Sequence, residues 1–430
     1  MKFTAAGDAI IQRRIQDEFP GYRELTPFIE QGDARFFNLE TTLNEEGECP
    51  GSQFSGGTYI RTTPRVLWDL EKFGFNMTSF NNNHALDFSY EGLYATLDAL
   101  NQTDFVHAGV GYNLAEASAP RYLETPNGRV ALIAVNTTFD APMMAGTQNE
   151  RVPGRAGING LRVSGYMQVT KEEIAFIRDL ADRSHINASD DIIRREGYLP
   201  PLADGEAKLG SLSFKEGPTS EYVTKIDPRD IERVKKAIFE AKLQADYIMI
   251  SVHSHQISGT AKESPSQFLV DFAHTCIDAG AHAVVGHGPH LLRPIEVYKN
   301  CPIFYSLGDF ILQLYNVEFG PADFFQKHGV DPNATMYELL AKRSNNFTRG
   351  LMTDWRMFLS VIPIWETNAD HTLKSLRLVP IMGAMEGHKS EIGLPRLTDP
   401  EKVVEYLGEM SKPYGVTLTA AADGLIDCKW

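Results

Sequence analysis

Five short stretches of this chain combine carboxylate, amide and imidazole groups in patterns that suit metal binding and water activation. They are "GDA" with Asp8, "NLE" with Glu40, "NNNHALD" with Asn83, His84 and Asp87, "SVHSH" with His253 and His255, and "GHGPH" with His287 and His290. Each closes an apolar run that reads as a strand, and open α/β sheets place their ligands at the C-terminal ends of strands. A single polar residue in such a place means little, because turn capping accounts for most of them. Five mixed Asp, Glu, Asn and His motifs in succession form a donor set suited to Mn, Zn or Fe. Two such ions bridged by one carboxylate would polarise an ester oxygen and activate water. In the last motif Gly288 and Pro289 fix a turn able to aim His287 and His290 into one cavity.

The elements that must position these motifs are legible as alternating patterns. Up to about Val135, "KFTAAG", "ARFFNLE", "FNMTSF", "DFVHAG" and "RVALIAV" read as strands, while "PRVLWDLEKFG" and "YEGLYATLDALNQ" carry apolar residues at helical spacing. From about Asp140 to Pro228 the pattern weakens into Gly-, Pro- and Asn-rich sequence, so a long insertion is expected there, a lid or a surface elaboration. Alternation returns with helix "PRDIERVKKAIFEAKLQ", strand "DYIMISVH", helix "SQFLVDFAHTCIDAG" and strand "AHAVVGH". After Asp309, "MFLSVIPIWE" and "LKSLRLVPIM" read as paired strands before the helix "DPEKVVEYLGEMS". The alternation predicts an α/β sandwich.

Composition narrows the functional classes. The chain has 430 residues, 43% of them apolar, enough for a substantial core. Lys and Arg number 41 against 56 Asp and Glu, a formal charge of -15, which disfavours nucleic acid as a partner because that affinity rests on neutralising phosphates. Cys49, Cys276, Cys301 and Cys428 follow no disulfide or zinc spacing. No signal-peptide pattern opens the sequence and no run is long enough to span a membrane. A cytoplasmic protein acting on a small molecule or peptide is expected.

Taken in order, "GDA", "FFNLETTL", "NNNHALDFSYEGL", "SVHSH", "VVGHGPHLLRPIE" and "IFYSLGDFIL" resemble the CapA family, named for poly-γ-glutamate capsule synthesis. The match runs from Lys2 to about Leu312 outside the insertion. The resemblance implies a calcineurin-like metallophosphoesterase fold, a β-sandwich flanked by helices (αββα). It would be a single domain over 1–430, with 140–228 as insertion or lid and 313–430 completing the fold. It also implies one or two divalent ions, Mn, Fe or Zn. Asp8 would bind the first ion, Glu40 would bridge, Asn83, His253 and His287 would hold the second, and His290 would return to the first. His84 would donate a proton to the leaving group, oriented by Asp87. The sequence departs from the family pattern at Ile10, where metallophosphoesterases carry a histidine, and this leaves the first metal one ligand poorer. It departs also at His255, at Gly288, and at Asp309, where many CapA-like chains have glycine, histidine and asparagine.

Asp87 and Asp309 are each placed to hold an imidazole in one tautomer. Arg293, just after GHGPH, is a candidate for binding an anionic group of the substrate. Three functions fit the set. The first is a metal-dependent hydrolase of a phosphoester or a γ-glutamyl or peptide amide. The second is a metal-independent peptide epimerase that exchanges protons at an α-carbon through the His, Asp and Glu cluster, with His255 as its extra imidazole. The third is a non-catalytic binding protein.

Overall fold

Strand β1 (Lys2–Ile10) is buried from Phe3 onward, as a strand covered on both faces must be. Parallel to it run β2 (Ala34–Leu39), then β3 (Met77–Ser79), then β4 (Val106–Ala108). The crossovers carry helices α1 (Pro20–Ile29), α2 (Val66–Lys72) and α3 (Ser89–Leu100). Their apolar stripes, including Leu25, Ile29, Leu70, Leu93 and Leu97, pack on the outer face of this sheet at Ala6, Ala9, Phe37 and Leu39.

A second sheet is built from β5 (Arg121–Thr125), β6 (Gly128–Asn136), β7 (Tyr247–His253), β8 (Ala283–His287), β9 (Leu292–Tyr298) and β10 (Cys301–Leu307). Its spatial order is β9-β10-β8-β7-β6-β5, with β6, β7, β8 and β10 parallel and the two edge strands antiparallel. Helices α4 (Pro228–Lys242) and α5 (Gln267–Ala279) precede β7 and β8. The next strand, β11 (Asp309–Leu312), leaves this sheet and pairs parallel with β1. The first sheet is then extended on the other side of β1 by the antiparallel strands β12 (Leu359–Thr367) and β13 (Leu373–Gly383), and beyond them by β14 (Thr417–Ala420) and β15 (Ile426–Lys429).

The inner faces of the sheets meet in one apolar layer, Phe3, Phe36 and Met77 against Leu132, Met249, Val285 and Phe304. Phe3 stacks on Tyr247 at 4.0 Å between ring centroids. Tyr247 in turn accepts a 3.0 Å hydrogen bond from the buried Trp365 indole, so the layer's polar atoms are matched. Two facing sheets with helices outside make the αββα sandwich that the alternation and the resemblance implied.

The computed structural model describes residues 1–430, which form two compact units: Met1–Leu161 with Ile231–Trp430, and Arg162–Asp230. The smaller unit overlaps the 140–228 stretch read as an insertion and ends two residues beyond it, whereas residues 140–161 belong to the larger unit. It has its own four-stranded sheet and two helices, Lys171–Ser184 and Ala188–Arg195, around Val169, Ile174, Ala207 and Phe214. No helix of the chain is long and apolar enough to cross a membrane.

Candidate functional site

The parallel strands of both sheets end at one edge, and that edge gathers the five motifs. On β1 the register with β2 slips between Ala5 and Asp8. A bulge of this kind re-aims a side chain, and Gly7 permits it, since a Cβ there would lie 1.8 Å from the Gly308 carbonyl oxygen. Asp8 is fully buried and its carboxylate accepts from Asn38 Nδ2 at 2.7 Å and from the Gly288 backbone N–H at 2.7 Å. Glu40 follows β2 and is fully buried too, 3.6 Å from His253 Nε2 and 3.9 Å from both His84 Nε2 and His290 Nδ1. Neither of its oxygens has a hydrogen-bond donor.

The imidazoles form a connected group. His253, at the end of β7, lies in register with His287 at the end of β8. Their Nδ1 atoms are 2.9 Å apart, and Ser251 Oγ sits 2.8 Å from His287 Nε2. Asn83 Nδ2 donates to the Gly56 carbonyl, which turns Oδ1 toward His253 Nε2 at 2.6 Å. His255 Nε2 is 3.0 Å from the same His253 nitrogen. His290 holds a left-handed backbone, φ 61°, and its Nδ1 lies 3.0 Å from Asp309 Oδ1, while Asp309 Oδ2 is buried without a partner. His84 Nδ1 is 2.7 Å from Asp87 Oδ2, and Asp87 is itself fixed by the backbone N–H groups of Gly56 and Ile60, each at 3.0 Å.

The electrostatics are those of carboxylates crowded away from water. Burial pushes Glu40 well above the usual carboxylate range, and Asp8 and Asp309 beside it push the same way. Burial carries Asp309 to about 6 despite the opposing His290. For Asp8 burial also acts upward, but His287, His290 and the Gly288 N–H outweigh it and hold the group below its ordinary value. Burial and the neighbouring imidazoles keep His253 and His255 well below ordinary histidine, hence neutral. His290 is raised, because Asp309 and Asp8 overcome its burial.

Three groups bring ligand atoms within 4.8 Å of one another and could hold a metal ion: Asp8, His253 and His287; Glu40, His253 and His255; and Asp8, Glu40, His290 and Asp309. The geometry therefore brings together all ten of the expected site residues other than Arg293. His255 and Asp309, expected as catalytic groups, lie among the possible ligands. Arg293, the candidate for binding an anionic group of the substrate, lies apart from these ten. It is fully buried, and its guanidinium donates to the main-chain carbonyls of Lys262 at 3.0 Å and of Ser254 and His255 at 3.3 Å, bracing the loop after β7. The motifs alone did not single out Asn38, Ser251 or the Gly288 N–H. All three stood inside the quoted motifs, Asn38 in "NLE", Ser251 in "SVHSH" and Gly288 in "GHGPH", beside residues whose chemistry drew the attention.

Residues 2–314 match the model of a protein family described as bacterial capsule synthesis protein PGA_cap. Over its length the chain is 31% identical to the uncharacterized protein y4sH of Sinorhizobium fredii, across 97% of this chain and 90% of that one. It is 42% identical to the PGA biosynthesis protein CapA of Bacillus subtilis over 59% of this chain and 47% of that protein, so it spans about half the length of that relative. Among solved structures, a putative 5'-nucleotidase from Staphylococcus aureus aligns over 89% of this chain and 55% of that one at 11% identity and TM-score 0.38, a likeness too slight to argue from.

Proposed function

The chain belongs to the bacterial capsule synthesis protein family PGA_cap, and on that premise we propose that it is a metal-dependent hydrolase of a phosphoester or of a γ-glutamyl or peptide amide. The observation that carries the reading is Glu40, whose two buried oxygens have no donor although Asp8 and Asp309 crowd the same space. Buried carboxylates without partners are costly unless a cation or a proton compensates them. The donor atoms fit a cation: Asp8, Glu40, His290 and Asp309 would hold one ion, and His253 with His255 or His287 a second. Mixed carboxylate and imidazole ligands suit Mn, Fe or Zn.

A divalent ion bound here supplies Lewis-acid polarisation and a nucleophile from water near neutral pH. The remaining work falls to the chain. Asp87 accepts from His84 Nδ1 and keeps that ring in one orientation, so Nε2 faces Glu40 and the site. A protonated Nε2 then donates its proton to the departing oxygen or nitrogen. Asn83, braced on Gly56, fixes the ring of His253. The name PGA biosynthesis protein, carried by the Bacillus subtilis relative, supports an amide of glutamate as the first substrate class to try.

The test is elemental analysis of untagged protein beside Glu40→Gln, followed by hydrolysis of p-nitrophenyl phosphate and γ-glutamyl-p-nitroanilide. One or two equivalents of Mn, Fe or Zn, lost in the variant along with turnover, is the expected result. Protein that neither contains nor takes up these ions refutes the hydrolase, and deuterium exchange at peptide α-carbons would then test proton exchange by the imidazole cluster.

A further inference from the structure

A cavity of about 300 Å³ opens off the loop that supports Asn83 and His84. Thr58 lines it, only two residues beyond Gly56, whose carbonyl accepts from Asn83 Nδ2. Two residues of chain reach at most about 7 Å. On another side the cavity is lined by Leu314 and Tyr315, which directly follow the strand that carries Asp309. Its walls are apolar, with Leu340, Phe347 and Leu351 among them, and no Asp or Glu lines it.

Two guanidinium groups, Arg343 and Arg349, complete the lining. Arg343 donates to Thr58 Oγ1, and burial lowers its pKa with no carboxylate nearby to restore it. Arg349 has no carboxylate partner either. In a chain of net charge -15, one small apolar cavity thus carries two solvent-accessible cations and no carboxylate. The backbone here is also strained. Asn345, Asn346 and Phe347 have φ of 51°, 55° and 60°, three successive left-handed residues of which one is aromatic. Ser344 Oγ accepts from the Phe347 N–H at 2.8 Å and fixes the turn, which sets the Phe347 ring edge-on to Tyr315 at 5.2 Å. Strain of this kind persists where the surroundings impose it, and ligand clamps are one such place.

We propose that this cavity is a substrate subsite for a carboxylate carried on an apolar body, the body against Phe347 and Leu351 and the carboxylate between Arg343 and Arg349. A planar guanidinium fork matches a carboxylate in two hydrogen bonds, and the apolar wall rejects a bare or fully hydrated anion. The volume sits at the lower end for small-molecule sites and accepts one such group rather than a length of polymer. The placement rests on the hydrolase reading, since the scissile bond would lie at the site beyond Gly56.

Ligand-observed NMR on the metal-free full chain, with N-acetyl-L-phenylalanine and its neutral amide as probes, tests the proposal. The acid is expected to bind with a dissociation constant on the order of 1 mM, as a ligand of this size does at ordinary efficiency. The amide should bind at least about tenfold more weakly, as should the acid to Arg349→Gln, with Arg349→Lys recovering part of the loss. A second variant, Leu351→Glu, should abolish binding while its circular dichroism stays native. Glu40→Gln should bind the probe unchanged, because the cavity is separate from the candidate metal ligands. Equal binding of acid and amide, undiminished binding by Arg349→Gln, loss of the probe in Glu40→Gln, or no binding at all would overturn the subsite. A chain that holds no metal but discriminates acid from amide would instead sink the hydrolase and leave the subsite standing.

Discussion

Replacing Asp309 by Asn keeps the side chain's shape and removes one charge from a ring that also contains Asp8 and Glu40. In the metal-free protein burial holds the Asp309 carboxyl at about 6, against 3.8 for an ordinary one. An acid with a raised folded pKa lowers stability, because the folded state retains a proton that the unfolded chain has already released. The loss begins as pH rises through the unfolded value and is complete above the folded one. Over that gap it amounts to ~3 kcal/mol at pH 8. Asp309→Asn escapes it. Part of the gain is returned, since Asp309 supports the proton on His290, but that contribution fades as pH rises through the raised His290 pKa. We expect the metal-free variant to be about 1–2 kcal/mol more stable than the native chain at pH 8 and no more stable near pH 4. Urea unfolding followed by tryptophan fluorescence measures this in the larger unit alone, because Trp68, Trp355, Trp365 and Trp430 all lie there. With Mn²⁺ most of that advantage should disappear. Loss of one ligand should weaken the ion at least about tenfold, and so remove about 1.4 kcal/mol of metal-linked stabilisation. A variant that is less stable than the native chain at pH 8 without metal, or that gains as much from Mn²⁺, refutes the reasoning.

Three further outcomes follow from the same geometry. His84→Ala should lower kcat by about 10²- to 10⁴-fold with metal content unchanged, and Asp87→Asn should do so to a smaller degree, which steady-state kinetics beside elemental analysis would check. Mn²⁺ affinity should rise between pH 5 and 7, about tenfold per pH unit for each proton displaced, because Glu40 is held well above the usual range and Asp309 at about 6, while His253 and His255 are already neutral; isothermal titration at several pH values reads it, and a flat profile would contradict the assignment of those carboxylates as ligands. Gly7→Ala places a methyl 1.8 Å from the Gly308 carbonyl oxygen, so the bulge that aims Asp8 must shift; thermal unfolding should show a loss of at least about 2 kcal/mol, and bound metal should fall with it.

What was legible in the sequence is what is local. "DYIMISVH" and "AHAVVGH" are unbroken apolar runs that end in a histidine, and they form β7 and β8 with those histidines at the site edge. Helix α1 was not legible, because Pro20 and Pro27 read as breakers, although Pro20 occupies the first helical turn, where its missing N–H costs nothing. The smaller unit was hidden because four buried residues form its core and its strands are short, so no long period marks it. Arg293 read as a candidate anion binder from its place after GHGPH, and only the folded loop beside it reveals the three carbonyls it serves.

The departures at Ile10 and Asp309 show most clearly what motif reading leaves out. Taken singly, they are a missing imidazole and an unexpected acid, 299 positions apart in a chain whose numbering gives no reason to connect them. The parallel pairing of β11 with β1 sets Asp8 opposite Asp309 and Ile10 opposite Leu312, so both departures fall on one two-stranded ladder at the same edge of the sheet. There Ile10 packs with Tyr59, Phe88 and Leu312 in an apolar cluster, while Asp309 joins Asp8 and Glu40 with one oxygen buried and unpartnered. A ligand withdrawn from one strand and a charge added on its neighbour are then a single exchange. Its consequence in the metal-free chain is a ring of crowded carboxylates with Glu40 and Asp309 raised, and the contrast between the metal-free and Mn²⁺-loaded stabilities of Asp309→Asn is the quantity that measures how far a cation relieves that crowding.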